Sequence, residues 1–238
     1  MNIRKILNYV FLLAELILYI LIYTSPYVKE VSYLSIIVVF LYALTFMGVK
    51  NKSIRFLQLG LFTTLIADYF FVWLGSYKEA AMISFSVTQI AYGFVLLEYS
   101  KNKKLEIFIR VIGSFFTIIV TGIVLKNNSD LLSLVSMFYY FNLILNAILS
   151  FIESPTILLK IGLVLFICCD TVIGLQGLTE YLPMTPESII YKIIFIPFNL
   201  AWIFYLPSQV LIAYSMNHIA NINATNEEKL EFEIVTNA

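Results

Sequence analysis

The chain has 238 residues, of which 61% are hydrophobic and 13% charged, and its formal net charge is zero. A soluble domain is usually about 45–50% apolar and about 25% charged, so this composition excludes an ordinary soluble core. The neutral balance gives no electrostatic footprint for a nucleic-acid partner.

The charged residues are clumped, and the apolar runs between them approach the roughly 20 residues that cross a bilayer. Eight such segments stand out, at 5–24, 31–49, 53–75, 80–99, 106–125, 131–151, 157–178 and 188–216. Backbone groups in lipid must be satisfied within their own segment, so the segments are helices. Barrel strands would be about ten residues long and alternating, and these are neither. The expected fold is an all-α bundle of eight transmembrane helices over residues 1–216, followed by a polar, acidic, disordered cytoplasmic tail over 217–238.

Arg4 and Lys5 before the first apolar run imitate a signal peptide, but the run from Ile6 to Thr24 ends in Ser25-Pro26-Tyr27, with no small-residue cleavage site. It reads as a retained first helix. The short connections carry turn residues: Ser25-Pro26, Gly48 to Ser53, Ser100 to Lys104, Asn127 to Asp130, Ser154-Pro155, and Pro183 to Pro186. With the N-terminus inside, Arg4, Lys5, Lys50, Lys52, Arg55, Lys101, Lys103, Lys104, Arg110, Lys160 and Lys229 fall on the inner side. Lys29, Lys78, Lys126 and Lys192 fall outside, an 11-to-4 bias that places both termini in the cytoplasm. The expected location is a bacterial cytoplasmic membrane.

The third and seventh segments echo each other. Gly60, Asp68 and Gly75 have the same spacing as Gly162, Asp170 and Gly177. Weaker rhymes follow, Thr88-Gln89 with Tyr92 and Ser208-Gln209 with Tyr214. A shift of four helices preserves orientation, so the echo fits two parallel four-helix halves. Glycine-mediated helix packing explains the glycines without duplication.

Asp68 and Asp170 are the leading chemical candidates. Each lies ten residues before a charged marker, Lys78 or Glu180, which puts both about 15 Å below the outer boundary. A charge at that depth costs at least about 2.5–3.5 kcal/mol, so such a residue faces the bundle interior, finds partners or keeps a proton. One reading is a protonated helix-to-helix donor. The other is a shared site, in which repulsion and desolvation leave one proton on the pair, an acid beside a base.

Glu15, Gln89, Tyr92, Tyr139, Asn142, Asn146 and Gln209 are candidate substrate-binding residues, with interhelical hydrogen bonding as the plain alternative. Tyr139, Asn142 and Asn146 share one face of the sixth segment. Helix kinks are expected near Pro197, ahead of Asn199, and at Pro207. Cys168 and Cys169 read as free thiols, and His218, the sole histidine, as a surface residue. No metal or cofactor motif is present, and no cofactor is expected.

Leu61 to Asp68 resembles the third-helix motif of the lysoplasmalogenase-like YhhN family, which typically ends in Gly-Asp. Gly162 to Asp170 resembles that family's seventh-helix motif, and Tyr205 to Ala213 its last-helix pattern of an aromatic, a glutamine and an apolar run. Ala14 to Ile17 is similar to an acidic first-helix position. The resemblance implies a membrane-embedded hydrolase that cleaves the vinyl-ether bond of a lysoplasmalogen, a lysophospholipid substrate drawn from the surrounding membrane lipid. It places Asp68 and Asp170 at the proposed catalytic positions. The chain departs from the pattern at Ala67, Gln89 and Cys169, and lacks a Lys-Pro pair near Tyr33-Leu34-Ser35. A proton-coupled transporter and a non-catalytic lipid-binding protein are the competing readings; the sequence leaves the oligomeric state open.

Overall fold

A computed structural model describes residues 3–181, 185–196 and 199–236. The described residues are helical apart from short connections, and no strand occurs among them. Helix α1 covers Ile3–Thr24, α2 Val28–Leu44, α3 Lys52–Asp68 and α4 Lys78–Tyr99. Helix α5 covers Lys103–Leu125, α6 Leu131–Glu153 and α7 Ile157–Leu178. The short α8 covers Ile189–Ile194 and the long α9 Leu200–Thr236.

The polar connections start the helices they precede. The first amide groups of a helix have no intrahelical acceptor, and a side-chain oxygen can replace it. Asn51, Asn102 and Thr156 accept from the backbone N–H of Ile54, Leu105 and Leu159 at the starts of α3, α5 and α7. Asp130 and Ser133 exchange bonds reciprocally at the start of α6, with Ser133 N donating to Asp130 Oδ1 over 2.8 Å.

Six helices among the described residues are long and apolar enough to cross a membrane: α1, α3 with its extension, α4, α5, α6 and α7. The expected count of eight departs from this at two places. Helix α2 has 17 residues. The segment expected as one helix over 188–216 is divided, with α8 ending at Ile194 and α9 beginning at Leu200. The kink expected at Pro197 lies outside the described residues. Helix α9 runs through Pro207, which supplies no N–H to the helix, and continues to Thr236 through the polar stretch expected as a disordered tail.

Helix α3 does not stop at Asp68. Tyr69–Leu74 continues it as a π-helical turn. Such turns are rare and concentrate at functional sites. Gly75 ends it with φ +61°, a left-handed conformation open to glycine without a Cβ penalty.

Helix α3 packs against α4, α7 against α9, and α4 and α6 join the two pairs. The glycine echo is visible in this packing. A Cβ on Gly60 would lie 2.3 Å from Tyr92 Cε1, and one on Gly162 2.7 Å from Ile212 Cγ1. Tyr92 and Ile212 each follow the matched glutamines, Gln89 and Gln209, by three residues. Tyr214 is therefore not the counterpart of Tyr92. The correspondence stops at the third glycine, since Gly75 caps a helix end while Gly177 sits inside α7 with open space around it.

Candidate functional site

Asp68 is the last residue of α3, directly before the π turn, and is 2% exposed. Its Oδ2 accepts a hydrogen bond from the Tyr205 hydroxyl of α9. Asp170 lies on α7, and its Oδ2 accepts from the Tyr139 hydroxyl of α6. Asp68 and Asp170 thus each have a tyrosine donor on a neighbouring helix. Buried polar groups persist where such partners exist.

The two Asp–Tyr pairs meet around one aromatic cluster. The ring of Phe166, one turn before Asp170 on α7, lies 6.5 Å from Tyr139 and 5.7 Å from Tyr205. Phe85 of α4 packs on the Tyr139 side, and Trp202 meets Tyr205 edge-on.

The depth of the pair is sharper than the sequence allowed. The markers used to place the aspartates form an ion pair, Lys78 Nζ to Glu180 Oε1 at 3.0 Å. The ends of α3–α4 and α7 that carry them are therefore level. Helix α3 with its π turn ends at Leu74, six residues past Asp68, and α7 ends at Leu178, eight past Asp170. Those offsets are about 9 and 12 Å, so both carboxylates lie toward the same end of the bundle.

A second polar group lies along the same face of α6. Asn142 Nδ2 donates to Ser114 Oγ of α5 over 3.1 Å. Asn146 Nδ2 donates to the backbone oxygen and to Oε1 of Gln89 on α4, at 2.8 and 3.0 Å. Arg110 Nη1 of α5 donates to Asn146 Oδ1 over 2.7 Å, and its Nε and Nη2 donate to Glu106 Oε1. Tyr92 is fully buried and covers Gly60. Thr88 bridges α4 to α3 through Thr63 Oγ1 at 2.8 Å and the carbonyl of Gly60 at 3.2 Å.

Glu15 and Gln209 are buried on α1 and α9, which pack together. Both oxygens of Glu15 and both polar atoms of the Gln209 amide lack hydrogen-bond partners among the described residues. Neither side chain is therefore hydrogen-bonded to the Asp–Tyr pairs or to the Asn146 chain among the described residues.

Sequence reasoning named Tyr139 and overlooked Tyr205, Phe166, Glu106 and Arg110 as site residues. Tyr205 precedes Gln209 by one helical turn and so shares its face. Arg110 counts toward the inner charge bias, yet it lies seven residues inside α5 with Glu106 one turn earlier. That i,i+4 spacing of opposite charges within a spanning segment was the available signal.

The YhhN family matches residues 27–216. No curated protein and no solved structure matches the chain.

Proposed function

We propose that this chain, which belongs to the YhhN family, is a membrane-embedded hydrolase of the vinyl-ether bond in an ether lysophospholipid, with Asp68 and Asp170 as its acid and base. The observation that carries the reading is the pairing of two carboxylates, Asp68 buried and Asp170 part-buried, each held by a tyrosine, around the Phe166 cluster. Two like charges close together in a low-dielectric interior share a proton rather than both ionising.

A vinyl ether reacts with such a pair through carbon protonation. The carboxylic acid delivers its proton to the outer vinyl carbon, and positive charge develops on the carbon attached to oxygen. The partner carboxylate removes a proton from the water that attacks that carbon. The resulting hemiacetal collapses to a fatty aldehyde and the free hydroxyl of the glycerophospho group. The proton has then passed from one aspartate to the other, and its return completes the cycle. Tyr139 and Tyr205 fix the carboxylate rotamers and stabilise whichever carboxylate is ionised.

The layout belonging to this reading has eight crossings with both termini in the cytoplasm. The 17-residue α2 spans about 25 Å, short of the roughly 30 Å core but within reach of local thinning. The first part of α9, Leu200 to Met216, supplies the eighth crossing. The 11-to-4 charge bias sets the orientation.

Purified protein given a lysoplasmenyl lipid and its saturated alkyl-ether analogue tests the reaction. Aldehyde release from the first alone is expected. Flux of intact lipid or solute into proteoliposomes without conversion would replace the hydrolase with a transporter, and tight lipid binding without turnover would leave a lipid-binding relative.

A further inference from the structure

The chain from Glu106 to Gln89 is incompletely satisfied in a way that selects a ligand. A guanidinium has five N–H donors. Arg110 uses three, two on Glu106 Oε1 and one on Asn146 Oδ1, leaving one on Nη1 and one on Nη2 among the described residues. Glu106 is 4% exposed, and its Oε2 has no partner among the described residues. Gln89 is fully buried, and its Nε2 has no partner among them either. The cluster therefore offers spare donors, two on a cation and one on an amide, beside a spare anionic acceptor. Unpaired polar atoms in a membrane interior are costly, and occupancy by a ligand of complementary pattern removes that cost.

The cluster is bounded on one side by a sparsely packed helix. Helix α5 buries only Glu106, Ser114 and Thr121, and packs principally on α6. The Arg110 guanidinium lies against the α4 backbone, where a Cβ on Gly93 would come within 2.8 Å of Nη1. Along α6, Asn146 at the Arg110 end and Tyr139 at the Asp170 end are seven residues apart, about 10 Å. In a single-chain ether phospholipid, seven bonds separate phosphorus from the outer vinyl carbon, an extended span of roughly 9 Å. A phosphate at Arg110 thus brings the reactive double bond level with Asp170.

We propose that Arg110, Gln89 and Glu106 form the head-group site, with the phosphate on the free donors of Arg110 and Gln89 and a protonated primary amine on Glu106 Oε2. The substrate class is then an ether lysophospholipid with a zwitterionic phosphoethanolamine head. A trimethylated choline head has no N–H to donate to Glu106. The inference rests on the hydrolase reading for its choice of lipid, but its test uses binding alone.

The probes are saturated alkyl-ether lysophosphoethanolamine, which has no vinyl bond to cleave, and its trimethylated choline counterpart. Each is titrated against the purified full-length protein in detergent. Wild type is expected to bind the ethanolamine form about ten-fold or more tighter, the effect of one charge-assisted hydrogen bond. Glu106→Gln is expected to bring the two affinities together, and Arg110→Gln to weaken both by about ten-fold or more. The ratio of two lipids on one variant is independent of how much of that variant is folded, so a merely structural ion pair would leave it unchanged. Equal wild-type affinities, or an unchanged ratio in Glu106→Gln, overturns the head-group site. Turnover of vinyl-ether lipid with an unchanged ratio removes this site and keeps the hydrolase. Selective binding without turnover does the reverse.

Discussion

At the residue scale, tyrosine donors distinguish Asp68 and Asp170 from Glu15. Glu15 is as deeply buried as Asp68 but has no donor on either oxygen among the described residues, whereas Asp68 and Asp170 each have a hydroxyl aimed at them. A hydrogen bond to a charged group contributes about 1.5–3 kcal/mol, so Tyr139→Phe and Tyr205→Phe should each lower the rate of aldehyde release by about ten- to a hundred-fold. Lipid binding should be little changed, which a parallel titration checks. A phenylalanine variant with the wild-type rate would show that its hydroxyl does not support the carboxylate. The aspartates themselves were legible in the sequence, because an acidic residue in an apolar run is conspicuous. Tyr205 was not, because the chain has 16 tyrosines and a membrane protein needs many of them at interfaces. Its role depends on a meeting of α3 and α9 that no local pattern encodes.

At the element scale, two glycines set how closely the paired helices approach. Gly60→Ala drives a methyl into the Tyr92 ring, and Gly162→Ala drives one into Ile212 and the backbone carbonyl of Ser208. Each should cost about 1–3 kcal/mol by overpacking, read as a lower melting temperature. Gly122→Ala, with open space around it, should not lower it. The spacing of these glycines was visible in the sequence, and their partners were not. The start of α6 makes a separate prediction. Backbone and side-chain hydrogen bonds from Ser133 hold the Asp130 carboxyl below its ordinary range. A lowered folded-state pKa contributes stability above the unfolded value and loses it as pH falls through the folded one. As loss of an N-cap, Asp130→Ala should cost about 1 kcal/mol at neutral pH; the carboxylate's share of this is reduced by solvent screening, and the deficit should shrink in acid, as thermal melts across pH will show. Helix boundaries at Asn51, Asn102 and Thr156 follow the same capping logic, and the expected starts fell close to them. The division between α8 and α9 was missed because residues 188–216 form one apolar run, and hydropathy alone does not separate an interfacial helix from a spanning one.

At the scale of the whole molecule, the polar side chains are distributed with direction. The Asp–Tyr pairs sit toward the end of the bundle marked by the Lys78–Glu180 ion pair, and the Arg110 chain lies about two helical turns away along α6. An amphiphile with its head at one level and its labile bond at the other fits that order. Reporter fusions should place both termini on the cytoplasmic side, as the distribution of lysine and arginine requires. Termini on opposite sides would remove either α2 or α9 from the set of crossings. The sequence carried the helical membrane class and most of the segments, because burial in lipid writes itself into composition. It carried less of the site, because α3, α6, α7 and α9 meet only in three dimensions.

The central claim is that Asp68 and Asp170 act together on one bond. It is tested most directly by the initial rate of aldehyde release from a lysoplasmenyl phospholipid, measured for wild type, Asp68→Asn, Asp170→Asn and the double variant. Asparagine keeps the size and removes the exchangeable proton. Each single variant should lose at least about a hundred-fold in rate, and the double variant should lose little more than either, because neither group works without the other. Wild-type rates in either single variant, or losses that multiply in the double variant, would contradict a shared acid–base pair.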